Sequence, residues 1–318
     1  MAENKINAPI VAPSLGAPAA YQLANITKTA PQFDSITPRW ITRLLDWKPL
    51  ETGIFRLNKV KEGDTPLDVL CSQKVNARVP EGFVDYEAKP REYLLNSIST
   101  VINVNTRVSD LYSNPHDQIQ EQLRLAIESV KERQESQLIN NDDYGLLNNV
   151  ADSQRVQSRS GFPTPDDLDE LISKVWKEPS FFLAHPRAIA AFGREATRRG
   201  VPPAILTLFG SPFLSWRGIP LIPSDKLFVD GLKNPKSQAG KTNILLVRTG
   251  ESKQGVIGLY QAGLPGEQSR GLSVRFMGID KDGIASYLLS IYCSAAVLTH
   301  DALAVLEGVD VGNYYEYK

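Results

Sequence analysis

The order of periodicities along the chain predicts an α+β fold. One long amphipathic stretch and two shorter, strongly marked helices occupy the middle of the 318 residues, and a close succession of β segments follows them. The segments run strands, then helices, then strands, with no internal repeat and no regular βαβ alternation. At 42% hydrophobic residues the chain is globular and can bury one large core or two domains.

The first fifty residues hold six prolines, Pro9, Pro13, Pro18, Pro31, Pro38 and Pro49. Proline fixes an extended backbone, so this part reads as an arm. It is interrupted by "WITRLLDW", where Trp40, Leu44 and Trp47 fall on one helical face. Side chains of this kind need an apolar cover, either another subunit, which makes them candidate inter-subunit arm contacts, or the chain's own core. From Ile54 to Val84, the pieces "IFRLNKV", "LDVL" and "KVNARV" between Gly and Pro residues predict a polar hairpin or long loop. "ISTVINVNTRV", Ile98 to Val108, predicts a strand feeding the next helix.

That helix is predicted from Asn114 to Asn140. Asn114 suits the N-cap, Pro115 the first helical position, and Asp117 sets negative charge against the helix dipole. Ile119, Leu123, Ile127, Val130 and Leu138 form a narrow apolar seam, while Arg124, Glu128, Lys131, Glu132, Arg133 and Glu135 fill the other faces. A helix of roughly 25 residues spans about 37 Å, so it is expected to run along the edge of something flat.

"TPDDLDELISKVWK" predicts a helix with Thr164 as N-cap, Pro165 next, and Leu168, Leu171, Ile172, Val175 and Trp176 on one face. "SFFLAH" predicts a buried strand, and "PRAIAAFGREATRRG" a helix ended by Gly200. "ILTLF", "FLSWRGIPLIP", "NILLVRTG", "GVIGLYQ" and "LSVRFMGI" predict strands, and "HDALAVLEG" a short closing helix.

A formal net charge of −1, from 35 basic and 36 acidic residues, gives no electrostatic footprint for nucleic acid or an anionic membrane. Cys71 and Cys293 lack metal-ligand spacing, which argues against a zinc site or disulfide scaffold and for a reducing, cytoplasmic setting. The opening residues lack the continuous apolar core of a signal peptide. "IASYLLSIYCSAAVL", Ile284 to Leu298, is shorter than the ~20 residues a spanning helix needs and reads as a buried strand.

The residues offer little catalytic chemistry. His116, His185 and His300 stand at predicted helix starts, where capping is the simpler role. "GKT", Gly240 to Thr242, has Pro235 where a phosphate loop needs glycine, and it precedes a strand rather than a helix. The clustered carboxylates of "PDDLDEL" are accounted for by the helix dipole, with a metal site as the weaker alternative. The charges of "KPREYLL" and "TRRGVPP" read as solvated surface. No catalytic, cofactor-binding or metal-binding residue is assigned.

"VSDLYSNPHDQIQEQLRLAIESVKERQE", "TPDDLDELISKVWK", "FFLAHPRAIAAFGREATRRGVPP", "WRGIPLIPSDK", "VRTGESKQGVIGLYQ" and "AVLTHDALAVLEG" resemble the shell proteins of family 2A encapsulins, from about Tyr21 to Lys318. The resemblance implies an HK97-type phage capsid-like fold. Residues 1–48 would be an extended N-terminal arm, 49–93 the E-loop, 94–143 the P-domain with its spine helix, and 144–318 the A-domain plus a returning P-domain strand. It implies a self-assembling homo-oligomeric shell, a T=1 icosahedron of about sixty copies. The lumen would hold a cysteine desulfurase whose pyridoxal phosphate belongs to the cargo and not to the shell, with a role in sulfur metabolism or storage. By the order of elements, Arg198, Arg199, Gly200 and Val201 correspond to a candidate five-fold pore loop, where the two arginines would favour small anions. A viral or prophage capsid protein packaging DNA shares the fold, and a soluble α+β enzyme is the third reading.

Overall fold

The computed structural model describes residues 35–60, 86–105, 118–230 and 240–314. Asn114, Cys71, His116 and the strands expected between Leu67 and Val79 lie outside the described residues. In chain order, a short helix α1 (Trp40–Leu44) leads into β1 (Asp46–Leu50) and β2 (Ile54–Leu57), and β3 (Arg91–Leu94) and β4 (Asn96–Asn105) precede the long helix α2 (Gln118–Asn140). The middle of the chain carries β5 (Arg155–Gln157), α3 (Pro165–Lys174), β6 (Phe181–Ala184), α4 (Pro186–Arg198), β7 (Ala204–Leu208), β8 (Ser211–Trp216) and β9 (Ile219–Pro223). It ends in strands: β10 (Lys241–Val247), β11 (Val256–Gln261), β12 (Glu267–Ser269), β13 (Leu272–Ile279), β14 (Ile284–Val297) and β15 (Leu303–Asp310).

Two sheets organise these elements. The first has the order β1-β11-β14-β13-β12 with β4 also paired to β14, so residues 256–297 supply four of its strands. The second has the order β5-β15-β10-β6-β9-β8-β7, and β2 with β3 forms a separate hairpin. Helix α2 answers to its narrow seam: Leu123, Ala126, Ile127 and Val130 lie over Leu272, Leu289, Ile291 and Cys293 of the first sheet. Its far end is plugged into the other core, where Leu138 and Ile139 meet Leu45, Phe181, Leu245 and Leu303. Full burial of each of these two side chains contributes roughly 1.5–3 kcal/mol. The spine thereby joins the two sheets.

The second sheet is covered on both faces. Leu168, Leu171, Phe192 and Ala196 of α3 and α4 cover one side, and the core containing Trp40, Leu138 and Leu146 covers the other. That double burial corrects the expectation of a closing helix at "HDALAVLEG". Only His300–Ala302 makes a 3-10 turn, and Leu303–Asp310 is β15, an interior strand between β5 and β10. A strand buried on both faces loses its alternation, so its apolar run is indistinguishable from a buried helix by period alone. Trp176 is a second correction: α3 ends at Lys174 and the indole is 68% exposed. Trp47 is a third, because α1 stops at Leu44 and Trp47 sits in β1, so the three arm residues do not share one helical face.

Local signals that rest on short-range chemistry match the structure. Thr164 and Asp167 form a reciprocal capping box at the start of α3, with Asp167 fully buried. His185 caps α4 by accepting from the Arg187 N–H at 3.1 Å. Gly240 leads straight into β10, where a side chain would collide with the Asp230 carbonyl at 2.5 Å. Ile284–Val297 is a single long strand.

Candidate functional site

Three glutamates on one face of α2, at positions 128, 132 and 135, hold the end of the arm against the body. Glu135 accepts from the Ile41 N–H at 2.8 Å and the Thr42 N–H at 2.9 Å, satisfying the orphan donors at the start of α1. Glu132 accepts from the Thr37 N–H at 2.9 Å and the Thr37 hydroxyl at 2.8 Å, and Lys226 lies 3.0 Å away. Glu128 pairs with Arg39, whose φ of 50° places it in the left-handed region. That conformation costs roughly 1–3 kcal/mol and persists because the surrounding bonds over-determine it.

The electrostatics differ between neighbouring carboxylates. Burial opposes the charged form of Glu132, but Thr37 and Lys226 outweigh it and hold its pKa below the ordinary value. At Glu135 burial prevails over the Ile41 and Thr42 bonds, and the pKa is raised. In sequence these glutamates only fill the faces beside the apolar seam. The signal that could have marked them was their spacing of four and three residues, which aligns them on one stripe.

Trp40 is buried against Phe209 and Phe213, with ring centroids 5.5 and 5.4 Å away. Leu44 and Trp47 pack against the same core. The Trp47 Nε1–H donates to the Thr42 carbonyl at 2.9 Å. Each of the three side chains is thus engaged within its own chain.

The candidate pore loop is a helix ending of defined geometry. Gly200 has φ of 76°, its N–H donates to the Thr197 carbonyl at 3.0 Å, and the Val201 N–H donates to the Ala196 carbonyl at 3.0 Å. This is a Schellman ending, in which a left-handed glycine closes the last turn. Val201 is half exposed. Both arginines are engaged: Arg199 with Glu195 at 2.9 Å and Asp166 at 3.5 Å, and Arg198 with Glu195 at 3.7 Å and the Asn313 carbonyl at 2.9 Å.

Elsewhere, polar side chains serve the fold. The guanidinium of Arg248, fully buried, meets Asp301 at 2.8 Å and Thr299 at 2.8 Å, while Lys177 reaches Asp301 at 2.9 Å. Burial works against the charge on Asp301, yet Arg248, Thr299 and Lys177 hold its pKa far below the carboxylate range. The Cys293 thiol is pushed up to about 12 by burial, which leaves it uncharged at neutral pH and unsuited to nucleophilic chemistry. In "PDDLDEL", the Asp167 carboxylate accepts from the Thr164 N–H at 3.1 Å to complete the capping box, and Asp169 accepts from the Trp216 indole at 2.6 Å and from Arg217. Among the described residues, no group of three or more His, Cys, Asp or Glu side chains is placed to hold a metal ion. Among the described residues, no helix is long and apolar enough to cross a membrane.

What the molecule displays instead is apolar surface. Ile205, Phe209, Phe276, Met277 and Ile279 are each more than half exposed, as are Leu94 in β3 and Tyr86 ahead of it. Exposed apolar side chains are what contacts with other chains cover where they lie together on one surface. Two sheets, a long spine helix, an extended hairpin and an arm define the class: a subunit of an HK97-type capsid shell. The capsid of a native GTA particle has the same fold, with a TM-score of 0.58 over 89% of this chain and 95% of that one at 12% identity. Within that class, the family model for SrpI-like type 2A encapsulin shell proteins matches residues 55–313. The type 2A encapsulin shell protein SrpI of Synechococcus elongatus is 64% identical over 300 residues, 94% of this chain and 95% of that protein. The cryo-electron microscopy structure of the holo-SrpI encapsulin complex from the same organism covers 96% of this chain and 99% of that one, with a TM-score of 0.81 at 62% identity. The chain belongs to the SrpI-like type 2A encapsulin shell proteins. It is a structural shell protein that forms a nanocompartment, and not an enzyme.

Proposed function

We propose that the compartment built by this chain is a cytoplasmic T=1 icosahedron of about sixty subunits enclosing a cysteine desulfurase, with a role in sulfur metabolism or storage. The observation that carries the reading is the 64% identity to SrpI across nearly the whole of both chains. The shell contributes enclosure and passage, and the pyridoxal phosphate chemistry belongs to the cargo. Within each subunit, residues 1–48 act as the arm, 49–93 as the E-loop, 94–143 as the P-domain carrying α2, and 144–318 as the A-domain together with the strands that return beneath α2. Trp40, Leu44 and Trp47 support contacts between subunits by fixing where the arm leaves the body. Residues 198–201 border an opening. Many modest contacts suffice for a closed shell, because each one formed raises the effective concentration for the next.

The test is expression of the chain with and without a cysteine desulfurase, followed by size-exclusion chromatography and negative-stain microscopy. Closed spheres from the chain alone, and coelution of desulfurase activity with them when the two are coexpressed, are the expected results. Small oligomers under both conditions, or spheres that exclude the enzyme, would refute the assembly or the cargo assignment respectively. Spheres holding nuclease-protected DNA would favour the capsid alternative.

A further inference from the structure

The arm clamp, the spine and a turn of the first sheet border an open cavity of about 290 Å³. Arg39, Lys131 and Arg270 line it together with Thr42, Gln134 and Ser269, and no carboxylate is among the lining residues. Arg39 is held from outside by Glu128 and Glu132, and Lys131 is 3.7 Å from Glu128. Among the described residues, Arg270 has no hydrogen-bond or ion-pair partner, although it lines the same cavity as two other cations. The nearest acid along its own chain, Glu267, is turned to the Gly271 N–H at 3.3 Å. The cations come from three segments far apart in sequence, so their convergence is a product of the fold. Charges of one sign gathered in a concave site raise the local concentration of the opposite ion.

We infer that this cavity binds a small tetrahedral oxyanion of the phosphate or sulfate class. Such an ion has oxygens enough to accept from both guanidinium groups and the Lys131 ammonium at once, and charge-assisted bonds of this kind are the strong ones. The two arginines offer planar forks suited to oxyanion geometry, and the Ser269 hydroxyl is a further donor at the rim. A bound ion would tie the arm to α2 and to the β12–β13 turn.

The experiment is equilibrium dialysis of the full-length assembled protein against labelled inorganic phosphate, and separately sulfate, at constant ionic strength set with chloride. The expected result is saturable binding of about one ion per chain that chloride does not compete away. Arg270→Ala is expected to weaken it about tenfold or more, and Arg270→Lys less, since lysine keeps the charge and loses the fork. Arg270 is exposed, so the fold and the particle should be unchanged, which size-exclusion chromatography checks. Lys131→Ala gives a second, independent loss. Absence of saturable binding above chloride, or binding of equal strength in the Arg270→Ala and Lys131→Ala proteins, would overturn the assignment.

Discussion

At Glu135 both carboxylate oxygens are committed, one to the Ile41 N–H and one to the Thr42 N–H. Glutamine offers one acceptor oxygen and would turn an NH2 toward the second donor. Glu135→Gln is therefore expected to cost about 1–3 kcal/mol, measured as a lower midpoint in chemical denaturation. The pH dependence has a definite sign. Because burial raises the folded pKa above 4.5, the native state holds this proton where the unfolded state does not, so the wild-type protein gains stability relative to the Gln variant as pH falls through that window. Parallel pH profiles for the two proteins would rule out this titration. Asp301 runs the other way. Its folded pKa is depressed, so its contribution is present above the unfolded value of 3.8 and is lost as pH falls toward the folded one. Asp301→Asn leaves Arg248 fully buried without its carboxylate, and the expected loss at neutral pH is about 3–5 kcal/mol. The variant's stability should then fall less steeply in acid than the parent's, and a thermal unfolding series from neutral pH to pH about 3 checks both statements.

At the scale of elements, β1 runs parallel to β11 with Trp47 opposite Gly258. A Cβ on Gly258 would meet the indole at 2.7 Å, closer than packed carbon atoms come, so a side chain there must push Trp47 aside or part the two strands. Gly258→Ala is expected to cost about 1–3 kcal/mol. In the background of Trp47→Leu most of that cost should vanish, which a double-mutant cycle reads directly. Additive losses would mean that the two residues do not meet. This contact also marks the limit of what the sequence discloses. The capping box at Thr164, the histidine cap at His185 and the strand at Ile284–Val297 were legible because their partners lie within a few residues or within one period. The resemblance carried by quoted segments such as "WRGIPLIPSDK" supplied the capsid fold, which composition and periodicity left at α+β. The carboxylate stripe of α2, the plugged end at Leu138 and the interior position of β15 between β5 and β10 were not legible, because each is defined by residues far away in the chain. Periodicity reports how many faces of an element are covered, and it does not report what covers them.

At the scale of the whole molecule, if residues 198–201 border an opening as proposed, the charge of that loop would govern which ions a closed shell admits there. Each subunit brings Arg198 and Arg199 to this loop, and the same subunit brings Glu195 and Asp166 into ion-pair distance of them. A ring of such loops would therefore be close to neutral in sum, with its sign set by which group lies nearest the opening. Replacing both arginines with alanine leaves the two carboxylates uncompensated, so entry of a small cationic quencher should rise and entry of an anionic one of similar size should fall. Glu195→Gln should do the reverse. The measurement is the ratio of the two quenching rates for a fluorophore fixed in the lumen, taken at low salt and again at physiological salt. At about 0.15 M the screening length is near 8 Å, so the shift should shrink there without changing sign. A ratio unmoved by either variant at low salt would mean that this loop does not border the path, and that Arg198 and Arg199 serve only to pin the end of α4 to Glu195, Asp166 and the Asn313 carbonyl.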